Sequence, residues 1–359
     1  MLYEYVGAVH IHSVYSDGSG KIEDIAKAAF DSELDFIMMT DHNTIKPKED
    51  NYARWLNNIM VIIGYEVNDE KNRNHYLTFG LNELVGSYKV LENGELGCKL
   101  TAKEYVEQIK EKGGIGFKAH PDEERIQLKD YPSYPWTENG SDSYTGIEIW
   151  NHMSEWVEGM NENNKLERFL HPLKSIAAPS EKTLKRWDDA SAKRHVTGIG
   201  GVDAHAFKQN ILGLLEFEVF PYKVLFKSIR THVLLEEELT VNNNSSYALD
   251  EKNILNALKK GKCFVSNYYH GNAKGFRFYA EYKSNTFFTG DTIKFSDGKI
   301  KLTVLSPKES NIKLIHNGKK VNEVNRMNLS CDVTEKGIYR IECWLNGKGW
   351  IFSNHIRVE

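Results

Sequence analysis

The stretch Val6-Gly-Ala-Val-His10-Ile-His12-Ser-Val-Tyr-Ser-Asp17-Gly18 decides how the chain reads. Its apolar run, Val6–Ile11, predicts a buried strand that ends in two histidines two residues apart. A strand repeats its facing every two residues, so both imidazoles are expected on one side. Two neutral imidazoles at a strand end suit a divalent metal, and Asp17 in the following turn adds a hard oxygen donor.

The same pattern recurs along the first two thirds of the chain. Phe36-Ile-Met-Met-Thr-Asp41-His42-Asn43 and Val61-Ile-Ile-Gly-Tyr-Glu66 are apolar runs that end in metal-competent residues. His75-Tyr-Leu-Thr-Phe-Gly80 opens on a histidine. Gly116-Phe-Lys-Ala-His120-Pro121, Ile147-Glu148-Ile-Trp-Asn151 and Ile199-Gly-Gly-Val-Asp203-Ala-His205 complete the set. A single histidine at a strand end is ordinarily a capped or solvated one. Repetition changes that reading, because the carboxyl ends of all strands in a βα barrel converge on one face. Six histidines (10, 12, 42, 75, 120, 205) and three carboxylates (17, 66, 203) are then expected at one centre. His152, His171, His195, His232, His270, His316 and His355 lack this placement and read as structural or solvated. Nine donors exceed what one cation takes, since a catalytic zinc uses three protein ligands and an open position. They suit two or three adjacent divalent ions with one bridging carboxylate. Nitrogen and oxygen donors without a thiolate are compatible with Zn²⁺, Mn²⁺ or Fe²⁺. Such ions clamp phosphoryl oxygens and lower the pKa of water, so hydrolysis is the expected chemistry.

Helix-period segments, Ile22–Leu34 and Ala102–Lys112, lie between the short apolar runs Val6–Ile11, Phe36–Met39, Met60–Ile63, Ile115–Phe117, Ile147–Ile149 and Val196–Gly200. That alternation predicts βα units. From about Gly275 the period becomes two. The segments Phe276–Tyr282, Ile300–Leu305, Ile312–His316, Gly337–Trp344 and Trp350–Val358 are set off by turn signals such as Asn317-Gly318 and Asn346-Gly347. The expected architecture is an α/β barrel over residues 1–272, its last helix Glu251–Lys260, and a smaller antiparallel β-sandwich over 273–359. A length of 359 residues fits two such units. A net charge of −4 provides no global positive field for long nucleic acid, and 40% hydrophobic residues exclude disorder as the main state. Four separated cysteines and no recognisable leader or apolar span predict a soluble cytoplasmic protein with reduced thiols and no membrane partner.

In this order, HIHSVYSDG, TDHN, the Glu66 run, KAHPDE, IEIWN and GVDAH resemble the PHP (polymerase and histidinol phosphatase) family over about residues 1–232. The resemblance implies a distorted (β/α)7 TIM-like barrel with a trinuclear metal site that hydrolyses phosphate esters, some members being nucleases. It implies a first metal held by His10, His12, Glu66 and Asp203. A second would be held by bridging Glu66 with His75 and His120, and a third by Asp17, His42 and His205. Asp41 and Asn151 would support the ligands, and Val202 stands where the family motif commonly has serine. The end of the chain, from Asn256-Ala-Leu-Lys-Lys-Gly-Lys-Cys-Phe-Val-Ser266 to Trp350-Ile-Phe-Ser-Asn354-His-Ile-Arg-Val, resembles the carbaryl-hydrolase-like branch, with His355 where relatives often carry proline.

The leading expectation is a phosphoesterase acting on a small phosphomonoester or phosphodiester through a metal-activated hydroxide, with Glu66 and Asp203 positioning it and handling protons. An exonuclease on short oligonucleotides would need a basic or stacking groove, for which Lys118, Arg125 and Tyr131–Trp136 are the candidates. A carbamate or carboxylic ester hydrolase could use the same ions on a carbonyl. A non-catalytic, metal-stabilised protein would use the sandwich to bind a carbohydrate or partner through Phe287, Phe288, Trp344 or Trp350. Substrate choice is expected in the 84–100 and 122–145 regions.

Overall fold

The computed structural model describes residues 2–92, 94–125, 132–211 and 215–359. Each apolar run named above is a strand: Tyr3–Ile11, Phe36–Met39, Ile59–Ile63, Ile115–Lys118, Gly146–Asn151 and Thr197–Gly201. Phe36–Met39 and Ile59–Ile63 are buried at every residue, as parallel strands covered on both faces must be. Tyr3–Ile11, Phe36–Met39 and Ile59–Ile63 are parallel neighbours. Ile115–Lys118, Gly146–Asn151 and Thr197–Gly201 form a second parallel set.

Helices cross between these strands with their apolar stripes inward. Ile22–Phe30 buries Ile22, Ile25, Ala26 and Ala29. Ala102–Glu111 starts on a capping box between Thr101 and Glu104, which satisfies two otherwise orphaned N–H groups.

The βα alternation is not uniform. Tyr65–Val67 and Tyr76–Phe79 form an antiparallel hairpin, and Tyr76–Phe79 also runs antiparallel to Ile115–Lys118. The two sheets are joined at their edges by the isolated bridges Ile11↔Ala204 and His42↔Glu66. Both bridges lie at the strand ends where the metal-competent residues stand.

The main sheet also continues into the C-terminal third. Ile229–Leu235 pairs antiparallel with Tyr3–Ile11, Cys263–Asn267 with Ile229–Leu235, and Lys348–Ser353 with Cys263–Asn267. The segments Ile300–Leu305 and Ile312–His316 are one bent strand, Ile300–His316, whose register breaks between Leu305 and Ser310. Its first half pairs with Arg277–Tyr282 and its second with Gly337–Leu345. Trp350–Val358 is two strands, Lys348–Ser353 and Ile356–Val358. Lys319–Val333 is a further, mostly exposed strand that, among the described residues, pairs with Ile300–His316 alone. No helix among the described residues is long and apolar enough to cross a membrane.

A buried charge cluster ties the Glu181–Lys193 helix to the C-terminal strands. Arg340 donates to both Asp188 oxygens at 2.8 Å and to Glu342 at 2.6 Å. His355 Nε2 reaches Asp188 Oδ1 at 2.7 Å, and its ring lies 4.3 Å from Trp187. The histidine at the position where the branch resemblance leads one to expect proline is therefore a structural tie.

Candidate metal centre

All nine side chains singled out in the sequence meet at the strand ends. They form overlapping groups whose donor atoms lie within 4.8 Å of one another: His12, Asp17, His42 and His205; His10, His120 and Asp203; His10, His12 and Glu66; His42, Glu66 and His75. Glu66 is the hub and is 1% exposed. Its Oε2 faces His10 Nε2 at 3.2 Å, His12 Nε2 at 3.3 Å and His42 Nδ1 at 3.4 Å. Its Oε1 faces His75 Nδ1 at 2.9 Å and His120 Nε2 at 3.4 Å. Asp203 Oδ1 lies 3.3 Å from His10, 3.5 Å from His12 and 3.5 Å from His205. Asp17 reaches His205 at 3.2 Å, His12 at 3.5 Å and His42 at 3.8 Å.

The imidazoles converge, but not by plain strand alternation. His10 has φ +68, and the register with Phe36–Met39 shifts between Val9 and Ile11. His10 therefore sits in a bulge that re-aims its ring, a device common beside active sites. His120 (φ +27) and Asp203 (φ +54) are also in the left-handed region, which non-glycine residues rarely adopt.

The donor set fits cations. Both ring nitrogens of His12, Nδ1 of His42 and Nδ1 of His120 are buried with no hydrogen-bond partner among the described residues. Most of the nitrogen–oxygen gaps, 3.3 to 3.8 Å, are long for hydrogen bonds. They match two donors flanking one ion at about 2.0–2.2 Å each. The electrostatics agree. Burial alone would lower His10, but Asp203, Glu148 and Glu66 hold its pKa well above the usual imidazole value. Burial alone would raise Glu66 and Asp203, but the surrounding histidines hold both carboxyls well below the carboxylate range. Burial and the His205 and His42 charges push His12 down to about 3.

The supporting residues are also in place. Asp41 accepts from Ser13 N at 2.7 Å, Ser13 Oγ at 2.8 Å and Ser16 Oγ at 2.9 Å, pinning the loop that carries His12 and Asp17. Asn151 Nδ2 donates to Glu148 Oε2 at 2.9 Å and Asp203 Oδ2 at 3.3 Å. Gly18 packs its α-carbon on the His12 carbonyl, which any Cβ would strike. Val202 is fully buried in the apolar core.

Glu148 is the residue whose role sequence reading missed. It is buried, accepts from His10 Nδ1 at 2.9 Å through Oε1 and from the His120 backbone N–H at 2.8 Å through Oε2. That fixes the His10 tautomer with Nε2 aimed at Glu66 and Asp203. A Cβ at Gly201 would collide with Glu148 Oε1, so this glycine makes room for the contact. The sequence signal was a carboxylate inside an apolar run. Glu148→Gln keeps the shape but can no longer hold the charged partner of His10. We expect metal affinity to fall roughly 10–100-fold, read as a shift in Mn²⁺ binding by titration calorimetry.

Two aromatic rings border the centre. Tyr134 stacks on His75 with centroids 5.1 Å apart, and Phe207, 40% exposed, stacks on His205 at 4.7 Å. The basic residues considered for a nucleic-acid groove are engaged elsewhere. Lys118 is buried between the Trp136 and Tyr144 rings, and Arg125 pairs with Glu123 at 2.7 Å. Tyr131 lies outside the described residues.

Residues 8–134 match the family model for the PHP domain. The likeness to the PHP domain thus covers about a third of the chain. Its matched span holds seven of the nine side chains, all but Asp203 and His205. No curated protein matches the chain. Among solved structures, a two-domain protein containing a predicted PHP-like metal-dependent phosphoesterase from Bacteroides vulgatus is similar at 14% identity. That match covers 99% of this chain and 95% of that one with a TM-score of 0.45. PsfC from Pseudomonas syringae is 12% identical over 68% of this chain and 87% of its own, with a TM-score of 0.40. Endonuclease Q, in complex with a 27-mer duplex carrying an abasic lesion, is 16% identical over 68% of this chain and 57% of its own, with a TM-score of 0.39.

Protons and cations compete for this centre. Burial alone would lower His120 and His205; contacts with Glu66 in one case and Asp17 in the other push each up to about 9. A raised histidine pKa contributes stability that is complete below the unfolded value, 6.5, and lost as pH rises through the folded one. Metal-free protein should therefore lose stability between pH 6.5 and 9, whereas Mn²⁺ should bind more tightly over that range because it displaces those protons. Urea midpoints with and without Mn²⁺ at the two pH values check both trends. A metal-free midpoint that rises with pH would contradict the assignment.

Proposed function

We propose that the chain is a metal-dependent phosphoesterase acting on a small phosphomonoester or phosphodiester. The observation that carries the reading is the convergence of six imidazoles and three carboxylates with orphaned, buried ring nitrogens. In this reading Glu66 would serve two cation positions, with His10, His12 and Asp203 holding the first and His75 and His120 the second. Asp17, His42 and His205 would hold a third. Zn²⁺, Mn²⁺ or Fe²⁺ bound there would supply Lewis-acid charge to a phosphoryl oxygen and an acidified water. The protein's own share is orientation. Glu148 holds His10, Asn151 holds Asp203, and Asp41 holds the Asp17 loop. Asp203, buried and kept ionised, would accept a proton from the attacking water. Phe207 and Tyr134 would flank the leaving group.

Of the basic residues considered for a strand groove, Lys118 is buried and Arg125 is paired with Glu123, which favours a small ester over a strand held by phosphate neutralisation. The experiment is hydrolysis of p-nitrophenyl phosphate and bis-p-nitrophenyl phosphate by Mn²⁺-reconstituted protein. Metal-dependent turnover of either supports the reading, and the preferred compound separates monoesterase from diesterase. Turnover of neither, with hydrolysis of a carbamate or carboxylic ester instead, would replace it.

A further inference from the structure

The two histidines that lie nearest Glu66 present opposite edges to it. His10 turns Nε2 to Glu66 and Nδ1 outward to Glu148. His75 turns Nδ1 to Glu66 Oε1 at 2.9 Å and Nε2 outward to Asn72 Oδ1 at 3.2 Å. A ring nitrogen binds a cation through a free lone pair, so each histidine needs its proton on the outer nitrogen. Glu148, a carboxylate, imposes that on His10. The outer partner of His75 is a neutral carboxamide, which accepts through its oxygen or donates through its nitrogen. Which end faces the ring decides which ring nitrogen is protonated.

Glu95 settles the carboxamide. Asn72 Nδ2 donates to Glu95 Oε2 at 3.0 Å. A carboxylate accepts and does not donate, so it holds the amide nitrogen and leaves Oδ1 to His75. An oxygen facing a ring nitrogen takes an N–H there. Nε2 then carries the proton, and Nδ1 keeps its lone pair toward the centre when a cation is bound.

Both ends of this relay are held in place. Asp69 builds the loop that carries Asn72. Its Oδ1 accepts from Lys71 N at 2.9 Å and Arg73 N at 3.0 Å, and its Oδ2 from Asn74 Nδ2 at 2.7 Å. Glu95 comes from the hairpin of Tyr88–Val90 and Leu96–Cys98. That hairpin is pinned beside it: the Leu96 carbonyl accepts from Asn43 Nδ2 at 2.7 Å, and Cys98 N donates to the Asn68 carbonyl at 2.9 Å. The Tyr134 ring, stacked on His75, restrains the imidazole plane. We propose that Asn72 is the positioning residue of His75 and that Glu95 sets its orientation, so that a surface hairpin governs cation affinity at the position His75 serves. This role rests on the cation positions proposed for the phosphoesterase.

Zn²⁺-loaded protein competed against a chelator, with the imidazole nitrogen resonances recorded on the same sample, tests it. The His75 resonances should report the proton on Nε2 in the wild type. Asn72→Gly deletes the side chain at a φ of +53 that glycine adopts freely. It should weaken the hold on one bound Zn²⁺ about tenfold. Glu95→Lys should do the same, because an ammonium attracts Oδ1 and turns the amide nitrogen toward His75. Asn72→Asp combined with Glu95→Lys gives Nε2–H an acceptor again beside a matching charge, and should bring affinity back close to the wild-type value. A merely structural asparagine would show no such rescue. Wild-type affinity that both single changes leave unaltered would overturn this assignment alone, as would a double variant no better than Glu95→Lys. A wild type that holds no Zn²⁺ would overturn it together with the metal-centre reading.

Discussion

Asp203→Ala should lower turnover of a nitrophenyl phosphate on the order of 10³-fold or more while leaving the far-ultraviolet circular dichroism spectrum unchanged. The estimate follows from what the carboxylate does. Its Oδ1 faces three imidazoles between 3.3 and 3.5 Å, and its Oδ2 is held by Asn151. It lies in one of the metal-competent groups with His10 and His120. Removing it takes away a charged donor and a proton acceptor together. About 4 kcal/mol of transition-state stabilisation is a reasonable loss for such a group, and each 1.4 kcal/mol is a factor of ten. The backbone around it is held by other contacts, Val202 N to the Val9 carbonyl at 2.9 Å and Ala204 N to the His10 carbonyl at 3.1 Å. Steady-state kinetics with metal analysis of the same sample checks the claim. A variant with full activity and unchanged metal content would remove Asp203 from the machinery.

Arg340→Ala should cost about 3–5 kcal/mol of unfolding free energy, a large share of the roughly 5–15 kcal/mol typical of a folded protein. Arg340 is 3% exposed and is the cation that two buried carboxylates, Asp188 and Glu342, share. Without it both remain buried, with Asp188 hydrogen-bonded to His355 and Glu342 to Trp344. Burial alone would raise Asp188, but its bonds to Arg340 and His355 hold its carboxyl below the ordinary range. A depressed carboxyl contributes stability above its unfolded value, 3.8, that is lost as pH falls through that range. The variant lacks that contribution, so its deficit relative to the wild type should be full at pH 7 and shrink as pH falls below 3.8. Urea melts at pH 7 and at about pH 2.5 measure both effects. Asp188→Leu, Arg340→Met and Glu342→Gln combined should be far less damaging than the sum of the single changes, because together they remove all three charges. If Arg340→Ala unfolds with the wild-type midpoint, the cluster is not what joins the Glu181–Lys193 helix to the C-terminal strands.

The residue pattern carried much of the candidate site. Nine side chains at the ends of apolar runs were legible because period and polarity are local properties, and all nine converge. Strand and helix positions were legible for the same reason, with Phe36–Met39 read to the residue. Three things were not. The Lys319–Val333 strand has little apolar alternation, since it is an exposed edge paired with Ile300–His316. The bend that makes Ile300–His316 one strand depends on which neighbours pair with each half. Glu148 gave no sign of holding His10, because a buried carboxylate in a strand acquires meaning only from what faces it across 138 residues.

By itself, then, the sequence determined which residue types could ligate cations, and that the strand ends would present them. Only the tertiary structure decided how they meet. The bulge at His10, the left-handed Asp203 and His120, and the bridges Ile11↔Ala204 and His42↔Glu66 bring donors from separate sheets into groups whose atoms lie within 4.8 Å of one another. It also decided that the main sheet runs on into the C-terminal strands and that a buried Arg340–Asp188–His355 cluster secures the junction. The physical reason is range. Periodicity and ligand chemistry are encoded within a few residues, whereas register, bulges and charge pairing are settled by partners far apart in the chain that meet only when both sides are folded.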